Sequence, residues 1–543
     1  MTLLPRRRFA RSACLLALLG AGAFTAWPAG APERMPARRG SASAPAETEA
    51  RVIVKYKADA ALLRASAPNA ATPRAQHAQA LGGRLGLALT DGRTIGDRAQ
   101  VLKARGLSSR ALAERLGAQA DVEYAVVDGR VHALAAPNDP LYPNGQTAPT
   151  PLIGQWYLRA PTSATIVDAT SIVSAINAQA AWDVTTGSAG VVVGVLDTGV
   201  RLDHPDLAGK LRTGYDFVGG NGTATAIAVA NDGGGRDADP SDPGDWITAT
   251  EANTSGGPFY QCGDKNSGGA YIGSNSSWHG TQTAGLIGAA TNNGTGMAGT
   301  GYNVTVLPVR VLGKCGGYDS DIQAAMLWAA GLSSTPTAPS PAAKVLNMSL
   351  GGSGACSAAY IDVFNQLFNA GVSVVVAAGN EGLAVATPAN CPHAIGVAGV
   401  RHAGTKVGYS DLGPEVSIAA PAGNCVNSTG ACLFPILTTS NKGTTTPVAD
   451  SAGGSIYTDD GANPTLGTSF SAPMVAGTVA LMLSANPALT PTQVLTALKA
   501  TARPFPSTGA AAGTPACTAP SATAQSNECY CTTSTCGAGL LDA

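Results

Sequence analysis

Four short segments contain side chains that could together perform nucleophilic catalysis. They are Asp197-Thr198-Gly199, Trp278-His279-Gly280-Thr281, Gly379-Asn380-Glu381-Gly382 and Gly467-Thr468-Ser469. A hydroxyl becomes a nucleophile when an imidazole takes its proton and a carboxylate orients that imidazole, and an amide can stabilise a developing oxyanion. Taken singly, each side chain has an ordinary structural alternative, as a turn former, a helix starter, a loop residue or a helix cap.

The segment around Ser469 leads into an apolar stretch that continues to Leu483. This stretch is hydrophobic nearly all round, which predicts a buried helix. Pro473 is tolerated there because it falls in the first helical turn. Ser469 is therefore expected at the N-terminal end of a helix, where unpaired N–H groups help to hold an oxyanion.

The elements that must position these residues follow an α/β pattern. Continuous apolar runs, rich in β-branched residues, occupy 191–196, 304–309, 345–348, 372–377, 395–400 and 416–420. Continuous rather than alternating runs are typical of strands buried on both faces of a parallel sheet. Helical stretches at 321–330 and 361–370 separate them, so a doubly wound, mostly parallel sheet flanked by helices is expected. In such sheets the functional site lies at the carboxyl ends of the strands, which is where Asp197 and Asn380 fall.

A smaller α+β unit is expected before this domain. Residues 51–57 and 122–126 alternate between apolar and polar, which predicts two strands. Residues 109–116 are expected to form a helix with Ser109 as its N-cap. The sequence at 135–140 breaks all regular structure, and we place a processing boundary there.

The N-terminus is typical of an export signal. Arginines at the start precede an apolar run at 14–26, and Ala29-Gly30-Ala31 offers small residues for cleavage. We expect a signal peptide at 1–31, a flexible linker at 32–50, and secretion by either Sec or twin-arginine export. After the signal, no stretch approaches the roughly 18 uninterrupted apolar residues of a membrane span, so no stable membrane insertion is expected.

The charge of the chain is unevenly distributed. Residues 1–135 carry 20 Lys and Arg against 10 Asp and Glu, whereas residues 136–543 carry 14 against 25. The two parts are electrostatically complementary, which would favour their association. The alternative is that the first arginines belong to the signal and the other charges are solvated. No basic patch with interleaved aromatic residues occurs, so nucleic acid is not an expected partner.

The order Asp, His, Asn, Ser makes the four segments specific. Asp-Thr-Gly also occurs in aspartic proteases, but those need a second catalytic carboxylate, and the sequence has no second Asp-Thr-Gly or Asp-Ser-Gly. Asp-Thr-Gly, His-Gly-Thr, Ala-Ala-Gly-Asn and Gly-Thr-Ser-x-x-Ala-Pro, in this order, resemble the subtilisin and proteinase K superfamily of serine proteases. The resemblance covers about residues 180–543.

This resemblance implies a secreted serine endopeptidase that works through an acyl-enzyme intermediate. Ser469 would be the nucleophile, His279 the general base and acid, and Asp197 the carboxylate that orients the imidazole. Asn380 and the backbone N–H of Ser469 would form the oxyanion hole. Proteins or peptides are the expected substrates, a monomer is expected, and no cofactor is implied for catalysis. The alternative is a catalytically silent, subtilisin-like binding protein.

The resemblance also implies a precursor. Residues 51–135 resemble the ferredoxin-like inhibitory propeptide of the family, and residues 136–543 its subtilisin-like catalytic domain. The propeptide is expected to inhibit the enzyme within the same chain. Self-cleavage near Ala135-Ala136 would then release the mature protease.

Two further segments resemble the substrate-binding walls of the family. The expected strand-pairing residues are Ser349, Leu350, Gly351 and Gly352, and the expected wall of the primary specificity pocket is Ala377, Ala378 and Gly379. Exposed glycine backbone suits pairing with a substrate strand, and small apolar walls leave room for a large hydrophobic side chain. The alternative is that these small residues only pack the sheet.

Two pairs of residues depart from the family pattern. Gln282-Thr283 follows His-Gly-Thr, where His-Val or a similar pair is common, and Phe470-Ser471 follows Gly-Thr-Ser, where Met is common. Neither change involves an atom that transfers a proton. The departures therefore bear on rate and pocket shape rather than on the existence of activity.

A Gly- and Asp-rich insertion at 219–277 separates Asp197 from His279. Its closely spaced carboxylates are Asp232, Asp237, Asp239, Asp242 and Asp245. Ca²⁺ takes about six to eight oxygen ligands, and members of the resembled family often bind stabilising calcium, although the spacing does not fit an EF-hand loop. The insertion is thus a candidate structural calcium site, with a solvated acidic loop as the alternative.

Ten cysteines follow the signal, and an even number in an exported chain favours disulfides. No Cys-x-x-Cys pair with a nearby set of histidines accompanies them, which argues against a metal site. We expect the pairs Cys262–Cys315, Cys356–Cys391 and Cys425–Cys432. The pairing of Cys517, Cys529, Cys531 and Cys536 is left open.

Overall fold

The structure is a computed structural model. It describes residues 49–64, 73–95, 98–128, 136–143, 154–162, 165–167, 171–220, 222–424, 434–458 and 465–543. The predicted signal peptide, nearly all of the predicted linker, Ala135 and the expected Cys425–Cys432 bond lie outside these residues.

The described chain begins with a small α+β unit. Its elements are β1 (Ala50–Tyr56), α1 (Ala61–Arg64), α2 (Pro73–Leu85), β2 (Thr90–Thr94), β3 (Ala99–Ala104), α3 (Ser109–Gly117) and β4 (Val122–Val127). The four strands are antiparallel in the order β2-β3-β1-β4, which is the expected ferredoxin-like arrangement. Val52, Val54 and Tyr56 of β1 are buried beneath the helices, as the alternation of this segment predicts.

The start of α3 differs from the prediction by one residue. Ser108, not Ser109, is the N-cap, and its hydroxyl accepts a hydrogen bond from the N–H of Ala111 at 3.2 Å. The hydroxyl of Ser109 instead accepts from the N–H of Arg51 at 3.0 Å and so joins the helix to β1. A contact with a distant strand therefore decides which of the two serines caps the helix.

The described residues from 136 onward form a larger α/β unit. Its helices are α4 (Ala178–Val184), α5 (Ala224–Ala230), α6 (Ala249–Asn253), α7 (His279–Gly288), α8 (Asp319–Ala329), α9 (Ala358–Asn369), α10 (Thr468–Ala485) and α11 (Pro491–Thr501), with short 3-10 helices at Trp156–Leu158, Pro205–Leu207 and Asp450–Ala452. Its strands are β5 (Val192–Asp197), β6 (Tyr215–Asp216), β7 (Ile247–Thr248), β8 (Asp264–Lys265), β9 (Tyr271–Ser274), β10 (Thr305–Arg310), β11 (Val345–Met348), β12 (Ser373–Ala377), β13 (Ala394–Val400), β14 (Val416–Pro421), β15 (Thr439–Asn441) and β16 (Ser455–Tyr457).

Seven parallel strands form the central sheet in the order β14-β13-β12-β11-β5-β10-β6. Val193 and Val195 of β5 belong to the hydrophobic core that contains α7 and α10. Val192 and Leu196 belong to the core on the opposite face, which contains α8 and α9. Both faces of the strand are therefore covered, which explains why its sequence is continuously apolar. The expected doubly wound α/β fold is present.

Helix α10 occupies the centre of the larger unit. It is long and apolar enough to cross a membrane by length and composition, but 78% of that window is buried inside the protein. It contacts β11, β12, β13 and β14 and packs against α7. Its apolar surface is therefore the surface of a core helix, as the sequence predicts.

Arg310, at the end of β10, fastens the insertion at 219–277 to the sheet. The side chain is 1% exposed. Its guanidinium donates to the carboxylates of Asp216 and Asp232 and to the backbone carbonyls of Ala230 and Thr198. A buried guanidinium is tolerated because both carboxylates and carbonyls surround it.

Four disulfides join cysteines within the described residues. Cys262 is bonded to Cys315 and Cys356 to Cys391, which are two of the three expected pairs. Among the four cysteines whose pairing was left open, Cys517 is bonded to Cys529 and Cys531 to Cys536.

Candidate active site

The carboxyl edge of the sheet brings an acid and an imidazole together. Asp197 is the last residue of β5, and His279 is the first residue of α7. Nδ1 of His279 lies 2.7 Å from Oδ1 of Asp197. The carboxylate side chain is 1% exposed and the imidazole 21% exposed, so the pair is buried on the acid side and open on the imidazole side.

Two neighbouring groups hold the carboxylate of Asp197. Its Oδ1 also accepts from the N–H of Thr198 at 2.8 Å. Its Oδ2 lies 3.1 Å from the hydroxyl of Thr283. Thr283 is one of the residues that depart from the resembled family, and it contacts the acid directly. Thr283 transfers no proton, as expected, but its contact with the acid has no signal in the sequence.

The insertion reinforces this pair through two hydroxyl links. The hydroxyl of Thr198 donates to the buried carboxylate of Asp242 at 2.7 Å and accepts from the N–H of Gly280 at 3.0 Å. Asp245 accepts from the N–H and hydroxyl of Ser277 at 2.7 and 2.8 Å. The Ser277 hydroxyl in turn accepts a hydrogen bond from the backbone N–H of His279 at 3.3 Å. Two carboxylates predicted as metal ligands therefore position the residues around the imidazole.

The same carboxylates affect the proton affinity of His279. Burial lowers the pKa of its imidazole, but the charge and hydrogen bond of Asp197, with the charges of Asp245 and Asp242, outweigh it. The net effect raises the pKa of His279 above its usual value. Opposite charges near an imidazole favour its protonated form, which explains the direction.

Ser469 lies in the first turn of α10, after Gly467, whose φ of 146° favours glycine. The Ser469 hydroxyl donates to the backbone carbonyl of Ser349 at 3.3 Å, and the Ser349 hydroxyl donates to the Ser469 carbonyl at 2.6 Å. The nucleophile candidate is thus oriented toward the strand-pairing segment. The centroid of the Phe470 ring lies 5.5 Å from that of the His279 ring. Phe470, which departs from the family pattern, therefore also lies at the site.

The side-chain amide of Asn380 has a fixed orientation. Its Oδ1 accepts from the N–H of Thr468 at 2.9 Å and lies 3.1 Å from the Thr468 hydroxyl. A backbone N–H is only a donor, so the oxygen must face Thr468 and the NH₂ group must face away from it. The amide is thereby available to an oxyanion beside Ser469.

A cavity of about 540 Å³ joins the remaining predicted residues. It is lined by Ser469, Asn380 and all seven predicted substrate-binding residues, namely Ser349, Leu350, Gly351, Gly352, Ala377, Ala378 and Gly379. This volume suits one large side chain or a small molecule. Other residues that line the cavity include Glu381, Asp411, Ser521 and Ala522.

Glu381 and Asp411 are carboxylates among the residues that line the cavity. Glu381 accepts from the N–H of Asn380 at 2.9 Å, and Asp411 accepts from the N–H groups of Glu381 and Leu383 at 3.0 and 2.7 Å. Burial, together with the neighbouring Glu381, raises the pKa of Asp411 to about 6. The cavity therefore combines small apolar walls with acidic groups.

The five carboxylates predicted to bind calcium have separate protein partners. Asp232 binds Arg310 at 2.7 Å, Asp237 accepts from the N–H of Asp239, and Asp239 accepts from that of Ser241. Asp242 accepts from the Thr198 hydroxyl, and Asp245 accepts from the Ser277 hydroxyl. Within the described residues, no three of these carboxylates have oxygens within 4.8 Å of one another. The structure does not bring them together as one ligand set.

Two other aspartates have fully buried carboxylates. Asp139 and Asp206 are both 0% exposed. Asp139 accepts from the N–H groups of Asn292 and Asn293 at 2.7 and 3.0 Å, and Asp206 accepts from the N–H of Met297 at 2.8 Å. Burial, with a smaller effect of the charge of Asp139, raises the pKa of Asp206 to about 7. These donors are uncharged, so either a bound proton or a nearby cation would stabilise the buried carboxylates.

The chain is similar to known proteins over most of its length. The sequence profile of the Subtilase family, Peptidase_S8, matches residues 188–529. An "Extracellular protease" of Xanthomonas campestris pv. campestris is 38% identical over 513 residues, which make up 92% of this chain and 76% of that protein. An "Extracellular basic protease" of Dichelobacter nodosus is 36% identical over 376 residues, which make up 68% of this chain and 52% of that protein.

This chain is also similar to a protease of known structure. A protease of Pseudoalteromonas arctica is 37% identical to this chain, with a TM-score of 0.57. The match covers 75% of this chain and 97% of that one.

Proposed function

The chain belongs to the subtilase family and is a serine endopeptidase, and we propose that Ser469, His279 and Asp197 are its catalytic residues. The observation that carries this proposal is the 2.7 Å contact between the Asp197 carboxylate and the His279 imidazole, whose ring centroid lies 5.5 Å from that of Phe470, the residue after Ser469. An acid, an imidazole and a hydroxyl in this relation can activate the hydroxyl.

In the proposed reaction, the Ser469 hydroxyl leaves the Ser349 carbonyl and donates to Nε2 of His279. The oxygen attacks the substrate carbonyl, and the imidazole takes its proton. Asp197 keeps the proton on Nδ1 and stabilises the imidazolium. His279 then gives its proton to the leaving amine, and water hydrolyses the acyl-enzyme by the same route in reverse.

The developing oxyanion is proposed to lie between the Asn380 amide and the N–H of Ser469. The N–H groups of a first helical turn have no carbonyl partner within the helix, and the helix dipole favours negative charge there. The exposed backbone of Gly351 and Gly352 would pair with the substrate as an added strand.

We expect broad specificity that favours a large hydrophobic side chain before the cleaved bond, because the pocket walls at Ala377 and Ala378 are small and apolar. Glu381 and Asp411, which also line the cavity, would pair with a lysine ammonium. Cleavage-site profiling on a denatured protein measures both preferences, and a preference for small or acidic residues would contradict this assignment.

A fluorophosphonate probe tests the function itself. The mature protein should be labelled once, and the label should map to Ser469. Absence of label on folded protein would favour the alternative of a catalytically silent binding protein.

We further propose that residues 51–135 act as an inhibitory propeptide and that the enzyme is secreted after removal of residues 1–31. The support is the ferredoxin-like fold of the small unit, the opposite charge of the two parts of the chain, and relatives named extracellular proteases. A monomer remains the expected state of the mature enzyme.

Neutralising Asp245 should change the pH dependence of the reaction. The general base must be unprotonated, so kcat/KM should rise as pH increases through the pKa of His279 in the free enzyme. Asp245→Asn removes a negative charge that raises this pKa, and the rising limb should move to lower pH. Added salt should reduce the difference from wild type because it screens the charge.

Asp239→Asn is the matched control for that experiment. It removes the same charge from an exposed position of the same loop. We expect a smaller displacement of the limb. Equal displacement by both variants would show that net charge, not the position of Asp245, sets the pKa.

Calcium removal tests the structural ion. We propose that a calcium ion stabilises the protein. Its two candidate sites are the insertion and the pair Asp139 and Asp206. EDTA should lower the stability by about 3 kcal/mol if free calcium is normally ~100 times its Kd. Thermal inactivation with and without EDTA measures this, and no shift would exclude a stabilising calcium ion.

Two variants distinguish the sites. If Asp206 is a ligand, Asp206→Asn should be insensitive to EDTA, whereas Asp237→Asn should respond as the wild type does. The reverse pattern would assign the ion to the insertion.

A further inference from the structure

A segment from near the end of the chain reaches the substrate cavity. Ser521 and Ala522 line the same cavity as Ser469 and Asn380. They lie in the loop from Cys517 to Cys529, which a disulfide closes. We call residues 517–529 the Cys517–Cys529 loop.

The Gln525 side chain cross-links this loop internally. Its Oε1 accepts from the N–H of Thr518 at 3.0 Å, and its Nε2 donates to the Thr518 carbonyl at 2.9 Å. The N–H of Thr523 donates to the Ser521 hydroxyl at 3.1 Å. One side chain thereby makes the paired bonds that a partner strand would make. With the disulfide, these bonds restrict the conformations of the loop before any substrate binds.

The loop is also attached to the wall that carries the oxyanion amide. The N–H of Gln525 donates to the carbonyl of Gly382, two residues after Asn380, at 2.7 Å. The buried ammonium of Lys406 donates to the Gln525 carbonyl at 2.9 Å, and the N–H of Lys406 donates to the Cys529 carbonyl at 2.9 Å.

The Cys517–Cys529 loop packs tightly against residues 406–408. A Cβ atom on Gly408 would lie 2.2 Å from the carbonyl oxygen of Ser526. The Lys406 ammonium uses its other donors on the carbonyls of Val407 and Gly408, at 2.8 and 2.9 Å. A buried ammonium with all of its donors satisfied by carbonyls is costly to expose or rearrange. The loop is therefore a fixed part of the cleft.

We propose that the Cys517–Cys529 loop forms the outer lip of the primary specificity pocket and selects substrates by the size of the side chain before the cleaved bond. Its lining residues, Ser521 and Ala522, are small, so the lip borders a space wide enough for an aromatic side chain. This inference rests on the proposed function and adds a specificity-determining element to it.

The test compares two alanines of the loop. Ala522 and Ala524 are both exposed, but only Ala522 lines the cavity. For each variant, kcat/KM is measured on two peptides that differ only in Phe or Ala before the cleaved bond, with enzyme concentration fixed by fluorophosphonate titration. Ala522→Trp should lower the Phe-to-Ala ratio by about tenfold or more, mainly through a higher KM for Phe, whereas Ala524→Trp should keep the wild-type ratio.

Equal ratios in the two tryptophan variants would overturn the proposal. A wild-type protein that is neither labelled nor active would instead overturn the proposed function, so the two failures are distinguishable. The double variant Cys517→Ser/Cys529→Ser should lower the same ratio by loosening the lip. An unchanged ratio in a fully titratable double variant would also count against the lip, and if that variant does not fold, the two alanine positions decide.

Discussion

Replacing Ser469 by alanine is expected to lower the turnover of peptide substrates by about 10⁶-fold, which is the size of effect known for the nucleophile of a subtilisin. No hydroxyl would remain to attack the substrate carbonyl, while Asn380 and the strand-pairing segment would still bind it. The residual rate would come from those groups. Active-site-titrated kinetics on a chromogenic peptide measures the loss, and the variant should also lose its fluorophosphonate label.

The same variant reports on maturation. If the propeptide is removed by self-cleavage near Ala135-Ala136, Ser469→Ala should accumulate as an unprocessed precursor in a protease-deficient host. Mass spectrometry of the product identifies the cut. Normal maturation of the variant would contradict self-cleavage without affecting the assignment of the nucleophile.

Ser471→Ala is the matched control. Ser471 lies two residues further along α10, and its hydroxyl is buried against the carbonyls of Ala420 and Pro421. Its loss should cost about 1 kcal/mol of stability and leave labelling intact. Wild-type turnover in Ser469→Ala, or abolished turnover in Ser471→Ala only, would show that the nucleophile has been misassigned.

Replacing Asp197 by alanine is expected to lower kcat by about 10⁴-fold. The carboxylate orients Nδ1 of His279 and stabilises the imidazolium, and both effects vanish with it. Because its charge also raises the pKa of His279, the rising limb of the pH profile should move to lower pH in the variant. A pH–rate profile of Asp197→Ala measures the two effects together.

Thr283→Val tests the hydrogen bond that supports the Asp197 carboxylate without removing the charge of that carboxylate. The variant keeps the carboxylate and removes only the hydroxyl 3.1 Å from Oδ2. We expect a loss of no more than about 100-fold, with Thr283→Ser close to wild type, because one hydrogen bond to a charged group is removed. A loss as large as that of Asp197→Ala would mean that the threonine has a role beyond positioning.

The sequence was informative wherever a local pattern determines the structure. The central strands are continuously apolar because they are buried on both faces. At the carboxyl edge of the sheet, Asp197 ends one of these strands and Asn380 follows another. Helix α10 begins at Thr468, so Ser469 lies in its first turn, and the apolar stretch that follows Ser469 predicts this buried helix. These features depend on short stretches of chain, so their placement could be predicted.

Contacts between distant loops could not be predicted in this way. Thr198 meets Asp242 across 44 residues, and Ser277 meets Asp245 across 32. Polar loop residues have no periodicity that would reveal such partners, so these two aspartates were interpreted as metal ligands. Ser521 lies at the cavity because the Cys517–Cys529 bond, whose pairing the sequence left open, and the buried Lys406 help to hold its loop there.

The buried Arg310 has a consequence for the cooperativity of unfolding. Its guanidinium binds Asp216 and Asp232 on one side and the carbonyl of Thr198, beside the catalytic acid, on the other. Detaching the insertion from the sheet would take Asp232 and the Ala230 carbonyl away from this buried guanidinium and leave part of it without partners, at a cost of several kcal/mol. The insertion and the strand that carries Asp197 therefore form one unfolding unit, and this flank of the active site does not open while the sheet remains folded.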